Sequence, residues 1–131
     1  MGVSLWGVIM SKGISEKYDT APPGVHITAR GYTTEVNCQK QEAHSPQQAL
    51  QTGKSIVALS LEQVQRLINE CADKGVWLPP NKEIVDFKTI IGTYVSETGV
   101  RTPTTIGIIH FSKTGTHLVP ARANGKYEEH Q

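Results

Sequence analysis

The sequence predicts an α+β domain in which N-terminal helices precede a four-stranded antiparallel β-sheet. Two observations predict this class. A central segment has apolar residues at helical spacing behind a capping signal, and from residue 83 onward the chain consists of β-branched and aromatic runs separated by glycine turns. The chain has 131 residues, which is enough for one hydrophobic core without disulfides or metals.

Three regions are expected along the chain. Residues 1–37 are interpreted as an arm or linker, because glycine and proline recur there without a sustained period. Pairing of 24–36 as an edge hairpin is one alternative for part of this arm. The folded domain is predicted over 38–123, and 124–131 are expected to form a flexible polar tail.

The first predicted helix is short and begins after Ser45. Serine is a preferred N-cap residue, Pro46 suits the first helical position, and Gly53 suits the end.

The main helix is predicted over 61–74. Ser60 and Gln63 have the spacing of a capping box, and Gly75 stands where a left-handed C-cap belongs. Its buried stripe comprises Leu61, Val64, Leu67, Ile68 and Cys71. Residues 77–80 are predicted to form a turn, because Pro79 and Pro80 exclude helix.

The strands are predicted to form a meander. Glycines at 99 and 115 supply the positive φ angle that tight hairpin turns require, so neighbouring strands should be antiparallel. The predicted strands are 83–87, 90–96, 104–111 and 116–121.

Composition excludes several classes of protein. Apolar residues make up 37% and charged residues 19% of the chain, and the formal net charge is +1. These values are unlike a disordered chain or a uniformly basic nucleic-acid-binding surface, although they permit a local basic cleft. No apolar run approaches the roughly 20 residues that span a bilayer. Cys38 and Cys71 lack metal-ligand spacing, and a disulfide between them stays open.

The last hairpin contains two histidines whose relation depends on the turn. If 112–115 form a four-residue loop, His110 lies directly opposite His117 on one face, with Cβ atoms about 5 Å apart. A three-residue loop places His110 opposite Leu118 and separates the two imidazoles. The register therefore decides whether the two histidines can act together.

A pair of imidazoles beside a phosphate would suit metal-free RNA cleavage. One ring takes the proton of the ribose 2′-hydroxyl and the other protonates the leaving 5′-oxygen. Neighbouring groups could stabilise the charge that gathers on phosphorus: Lys113, Arg122, Ser112, Thr114 and Thr116. Each residue also has a structural interpretation, because strand-end histidines, turn hydroxyls and solvated lysines are common without catalysis.

A further histidine, His44, precedes the short helix, and Lys40 and Lys54 lie near it in sequence. Its alternative interpretation is a solvated residue of the capping region. His26 has no chemical company nearby and His130 belongs to the tail, so neither is a candidate.

Segments of the chain from about 39 to 120 resemble the polymorphic toxin type 50 family. The resemblance rests on KQEAH at 40–44, GKSI at 53–56, NKEIVDF at 81–87, IGTY at 91–94 and TTIGIIHFSKTGTHLVP at 104–120. Two departures are Phe111, where the family's motif would have tyrosine, and 1–37, which do not match.

The resemblance implies a ribonuclease fold like that of barnase, the colicin ribonucleases and RelE. It further implies an endoribonuclease toxin that cuts RNA without a metal, with tRNA a candidate. We also expect a monomer that needs no cofactor and does not contact a membrane. Such toxins are delivered by secretion or contact, or are phage-borne, act in the bacterial cytoplasm, and are inhibited by a cognate immunity protein. We expect catalytic roles for His44, His110, His117 and Thr116, and substrate-binding roles for Lys40, Lys54, Ser112, Lys113 and Arg122.

Other functions fit the composition less specifically. A non-catalytic binding module, such as a phage structural appendage, would share the fold without the chemistry. ADP-ribosyl transfer has no supporting cofactor or carboxylate motif. An immunity protein would be expected to be strongly acidic, unlike this nearly neutral chain.

Overall fold

A computed structural model of the chain describes residues 24–122. The helices in this range are α1 (Cys38–Glu42), α2 (Pro46–Thr52) and α3 (Leu61–Cys71). The strands are β1 (Ile56–Val57), β2 (Val76–Leu78), β3 (Lys82–Asp86), β4 (Gly92–Val95), β5 (Arg101–Thr104), β6 (Ile106–His110) and β7 (His117–Pro120). The predicted α+β class is confirmed.

The strands form two antiparallel sheets, in the orders β2-β3-β6-β7 and β1-β4-β5. The expected single four-stranded meander is therefore wrong. The chain leaves the larger sheet after β3, where Lys88 takes a φ of 65° and Phe87 and Ile91 turn into the core. It returns at β6. The predicted strand 104–111 is therefore divided: Thr104 ends β5 of the smaller sheet, and Ile106–His110 form β6 of the larger sheet.

Both predicted helix starts are confirmed. In α3, the Ser60 hydroxyl accepts from the Gln63 backbone N–H at 3.1 Å, while the Gln63 side chain accepts from the Ser60 N–H at 2.9 Å. In α2, the Ser45 hydroxyl accepts a hydrogen bond from a backbone N–H of the first turn, and Gly53 closes the helix with a φ of 77°. These local signals operate as the sequence predicts.

The end of α3 differs from the prediction. The helix stops at Cys71, and the positive φ angle falls on Asp73 (74°). Gly75 instead lies against β3, where a Cβ atom would approach the Ile84 carbonyl oxygen to 2.0 Å. The predicted turn at 77–80 begins with a strand, because β2 pairs with β3.

The core lies between α3 and one face of the larger sheet. It includes Val64 and Ile68 of α3 together with Ile109 and Leu118 of the sheet. Val36 also belongs to this core, although the sequence assigned it to an arm.

The described part of the predicted arm is tied to the domain. An antiparallel bridge joins Ile27 to Thr33, as the hairpin alternative expects, and a parallel bridge joins Val36 to Thr116. The buried Gln65 amide accepts from the Val36 N–H at 2.9 Å and donates to the Thr34 carbonyl at 2.7 Å. The rest of the arm (1–23) and the predicted tail (124–131) lie outside the described residues.

Within 24–122, no helix combines the length and apolar character that crossing a membrane would require. Cys38 and Cys71 are both half-buried, and no disulfide joins these two described residues. Cys71 packs against the core as predicted.

Candidate active site

One row of side chains crosses the outward face of the larger sheet. In register, Leu78 pairs with Lys82, Lys82 with His110, and His110 with His117. Residues directly opposite one another share a face of the sheet. Of the two registers that the sequence left open, the structure has the one in which His110 lies opposite His117, and both imidazoles lie on the face opposite the core.

A third imidazole joins the row from beyond the edge of the sheet. The ring of His44 stacks on that of His117 with centroids 5.8 Å apart and planes inclined by 21°. His117 stacks in turn on His110, at 4.8 Å and 27°. The structure therefore brings together all three histidines that the sequence singled out, with His117 in the middle.

The position of His44 depends on α1, which is fastened to the edge strand β7. The Gln41 side chain, 4% exposed, donates to the Leu118 carbonyl at 2.9 Å and accepts from the Leu118 N–H at 2.7 Å. Gln41 thereby satisfies backbone groups of β7, which is the edge strand of this sheet in the part of the chain that the structure describes.

The orientation of His44 is fixed by Ser55. Nδ1 of His44 lies 2.9 Å from the Ser55 carbonyl oxygen. Because a carbonyl only accepts, Nδ1 carries the proton and Nε2 is the nitrogen with the lone pair in the neutral ring.

Lysines surround the imidazole row. Lys40 and Lys54 act electrostatically on His117, and Lys82 acts on His110. Among residues 24–122, every group that acts electrostatically on these two rings is a lysine or another histidine. The site is therefore locally basic in a chain of almost zero net charge, as the sequence left open.

The three rings resist protonation. Burial, followed by neighbouring positive charge, lowers the pKa of His110 to about 3 and that of His117 to about 4. Burial also lowers the pKa of His44, although its hydrogen bond to the Ser55 backbone acts in the opposite direction. Without a bound anion the three imidazoles are therefore neutral at pH 7 and can accept protons.

The hydroxyls of the last hairpin have unequal positions. Ser112 Oγ donates to the Gly115 carbonyl at 2.7 Å and lies 3.1 Å from Lys40 Nζ, so it holds the turn and a lysine together. Thr116 is 0% exposed, and its hydroxyl donates to the His110 carbonyl at 2.7 Å. A buried hydroxyl that donates to this backbone carbonyl favours a positioning role beside His110, and the catalytic role of Thr116 stays a prediction.

Two other predicted substrate-binding residues lie outside the row. The first, Lys113, is exposed at the tip of the last hairpin. Arg122 follows the far end of β7, about 16 Å along an extended chain from His117. The structure does not bring Arg122 to the imidazoles.

Sequence reasoning missed Lys82, Gln41 and Ser55. Lys82 joins the row only because β3 pairs with β6, and no local signal reveals that pairing. Gln41 lies within a quoted motif, but its contact is 77 positions distant in sequence. In the described part of the chain, no three histidine, cysteine or carboxylate side chains are grouped so as to hold a metal ion.

Comparison with known proteins gave one finding. A family model described as Bacterial toxin 50 matches residues 36–120. This range contains the three imidazoles and every strand of both sheets. No curated protein and no solved structure matched the chain.

Proposed function

Since the chain belongs to the bacterial toxin 50 family, we propose that it is a toxin domain that cleaves RNA by general acid–base catalysis at the imidazole row. The observation that carries the proposal is the stack of His110, His117 and His44 among lysines. A likeness to the fold of barnase, the colicin ribonucleases and RelE is part of the same proposal.

The base is supplied by the sheet. His110 and His117 are neutral at physiological pH, so either can accept the proton of the ribose 2′-hydroxyl. The 2′-oxygen then forms a bond to phosphorus as the bond from phosphorus to the 5′-oxygen breaks. The products are a 2′,3′-cyclic phosphate and a free 5′-hydroxyl, and DNA is inert because it lacks the 2′-hydroxyl.

The acid is His44. Burial lowers the pKa of His44 as it does for the other two rings, but only His44 has a hydrogen bond to a backbone carbonyl, that of Ser55, that acts in favour of the charged ring. A bound phosphate supplies negative charge that favours protonation further. Protonated Nε2 then gives its proton to the departing 5′-oxygen.

The lysines stabilise the charge that develops on phosphorus. Lys40 and Lys54 both act on His117, the central ring, so a phosphate placed there lies within their field. Lys40 is also held by Ser112 at 3.1 Å, which reduces the reorganisation needed when substrate binds.

The biological setting follows the family. We propose delivery to a competing bacterial cell by secretion, contact or phage, and action on RNA in its cytoplasm, with tRNA as a candidate substrate. The producing cell then needs a cognate immunity protein. The domain itself is expected to act as a monomer.

The proposal is tested by incubating purified protein with total RNA in EDTA. The wild type should give defined fragments ending in 2′,3′-cyclic phosphate, and His110→Ala should give none. His26→Ala is the matched control, because His26 is exposed and lies outside the row. Intact RNA at high protein concentration would contradict the proposal and favour a non-catalytic binding module.

A further inference from the structure

Lys82 extends the basic site to the opposite side of the imidazole row. It lies on β3, directly across from His110 and on the same face, and is half-buried. Its charge helps to keep the His110 ring neutral. Lys54 acts on His44, the imidazole at the other end, and together with Lys40 it acts on the central ring His117, so cations lie on both sides of the three imidazoles.

The carboxylates near Lys82 are engaged elsewhere. Glu83 faces the core, where its oxygens accept from the N–H groups of Asp73 and Gly75. Asp86 lies four residues along β3, about 13 Å away along the strand. It accepts from the Lys88 N–H and the Thr105 hydroxyl. The cross-strand neighbours of Lys82 are Leu78 and His110, neither of them acidic.

The length of the row indicates what it can hold. Neighbouring strands are about 4.8 Å apart, so the backbones at Lys82 and His117 are about 10 Å apart. Lys40 and Lys54 act on His117, and Lys54 also acts on His44 beyond it. A single phosphate at His117 would need only the cations beside that ring. A polyanion that lies along the row would also contact Lys82.

We propose that Lys82 binds the RNA phosphate next to the scissile one, so that the substrate strand crosses β3, β6 and β7. This inference rests on the proposed function and specifies its substrate as a polynucleotide held at two or more phosphates. Lys82 is then a determinant of strand binding, separate from the groups that transfer protons.

The test measures binding without cleavage. A fluorescein-labelled 2′-O-methyl RNA hexanucleotide cannot be cut, and its anisotropy gives the Kd over a range of salt concentrations. Lys82→Met should weaken binding roughly tenfold at low salt and reduce the slope of log Ka against log salt by about 0.7. Lys82→Arg should retain most of the affinity, because it keeps the charge.

Lys88→Met is the matched control. Lys88 is also a lysine beside β3, but its side chain is 83% exposed and lies 3.8 Å from Asp86. It should leave the Kd and the salt slope unchanged. If Lys82→Met and Lys88→Met have equal melting temperatures, a difference in Kd between them comes from the lost contact of Lys82 with RNA and not from unfolding.

A ligand with one phosphate distinguishes the adjacent phosphate from the scissile one. Binding of a ribonucleoside 3′-monophosphate should be changed less than twofold by Lys82→Met. Equal weakening of both ligands would overturn the assignment to the neighbouring phosphate, and wild-type hexanucleotide binding by Lys82→Met would overturn any contact. The proposed function is tested separately, by cleavage. If the wild type cleaves RNA, the proposed function stands whatever the binding of Lys82→Met. If the wild type binds RNA but does not cleave it, only the proposed function is contradicted.

Discussion

The side-chain amide of Gln41 pairs with both backbone hydrogen-bonding groups of Leu118, at 2.7 and 2.9 Å. This contact continues the hydrogen bonding of the larger sheet beyond its edge strand with a side chain. It also fastens α1 beside β7, one residue from His117. The geometry of the three imidazoles therefore depends on a residue that does no chemistry.

Replacing Gln41 by alanine should reduce both stability and activity. The buried Leu118 N–H and carbonyl lose their partners, which should lower the free energy of unfolding by about 1–3 kcal/mol. Cleavage should fall further than the folded fraction does, because His44 is no longer held at His117. Urea denaturation and RNA cleavage measure the two effects. Gln39→Ala, on the exposed side of α1, is the control and should change neither.

Thr116 should behave as a positioning residue. Thr116→Val removes the hydroxyl that donates to the His110 carbonyl, and should cost about 1 kcal/mol of stability and less than tenfold in kcat. Thr116→Ser should restore both values. A loss of a hundredfold or more in kcat with unchanged stability would instead return Thr116 to the catalytic group.

Stability should rise with pH between about 3 and 6.5. The lowered pKa values of His110 and His117 mean that the unfolded chain, with pKa values near 6.5, binds more protons throughout this window. Acid therefore favours unfolding, and the effect saturates below pH 3. His110→Asn should flatten part of this dependence, as urea titrations at pH 4.5 and 7 would measure. An equally steep dependence in that variant would contradict the lowered pKa.

Cleavage should be fastest in mildly acidic solution. The value of kcat/KM reports the free enzyme, so it should rise near pH 4 as His117 becomes neutral. As the pH rises further, kcat/KM should fall when His44 loses its proton, and the midpoint of this fall should lie below pH 6.5 because the pKa of His44 is lowered. An optimum above pH 7 would be inconsistent with His44 as the acid, and His44→Ala should abolish the falling limb.

Local signals accounted for much of the fold. The caps at Ser45 and Ser60 follow from short-range chemistry and are present as predicted. The hairpin after His110 was also predicted, but the sequence left two registers open, and the structure has the one that pairs His110 with His117. No contact distant in sequence is needed to bring His110 opposite His117, because the register of one hairpin does so. Pairing across longer distances was not predictable, because similar β-branched strands can pair in several orders.

The candidate site divides in the same way. Its histidines were recognisable from residue type and from the family resemblance. Lys82 required the pairing of β3 with β6, and the inward direction of the Thr116 hydroxyl required the burial of the hairpin against Glu35 and Val36. Gly75 was misassigned because a close approach to β3 and a helix cap both favour glycine.

The most direct test asks whether the three imidazoles meet one phosphate. The rings of His44, His110 and His117 are titrated by NMR with and without a dinucleotide that carries 2′-deoxyribose at the cut site. Binding should raise the pKa of all three rings together. Rings that titrate as in the free protein, or a single shifted ring among the three, would contradict a shared catalytic phosphate.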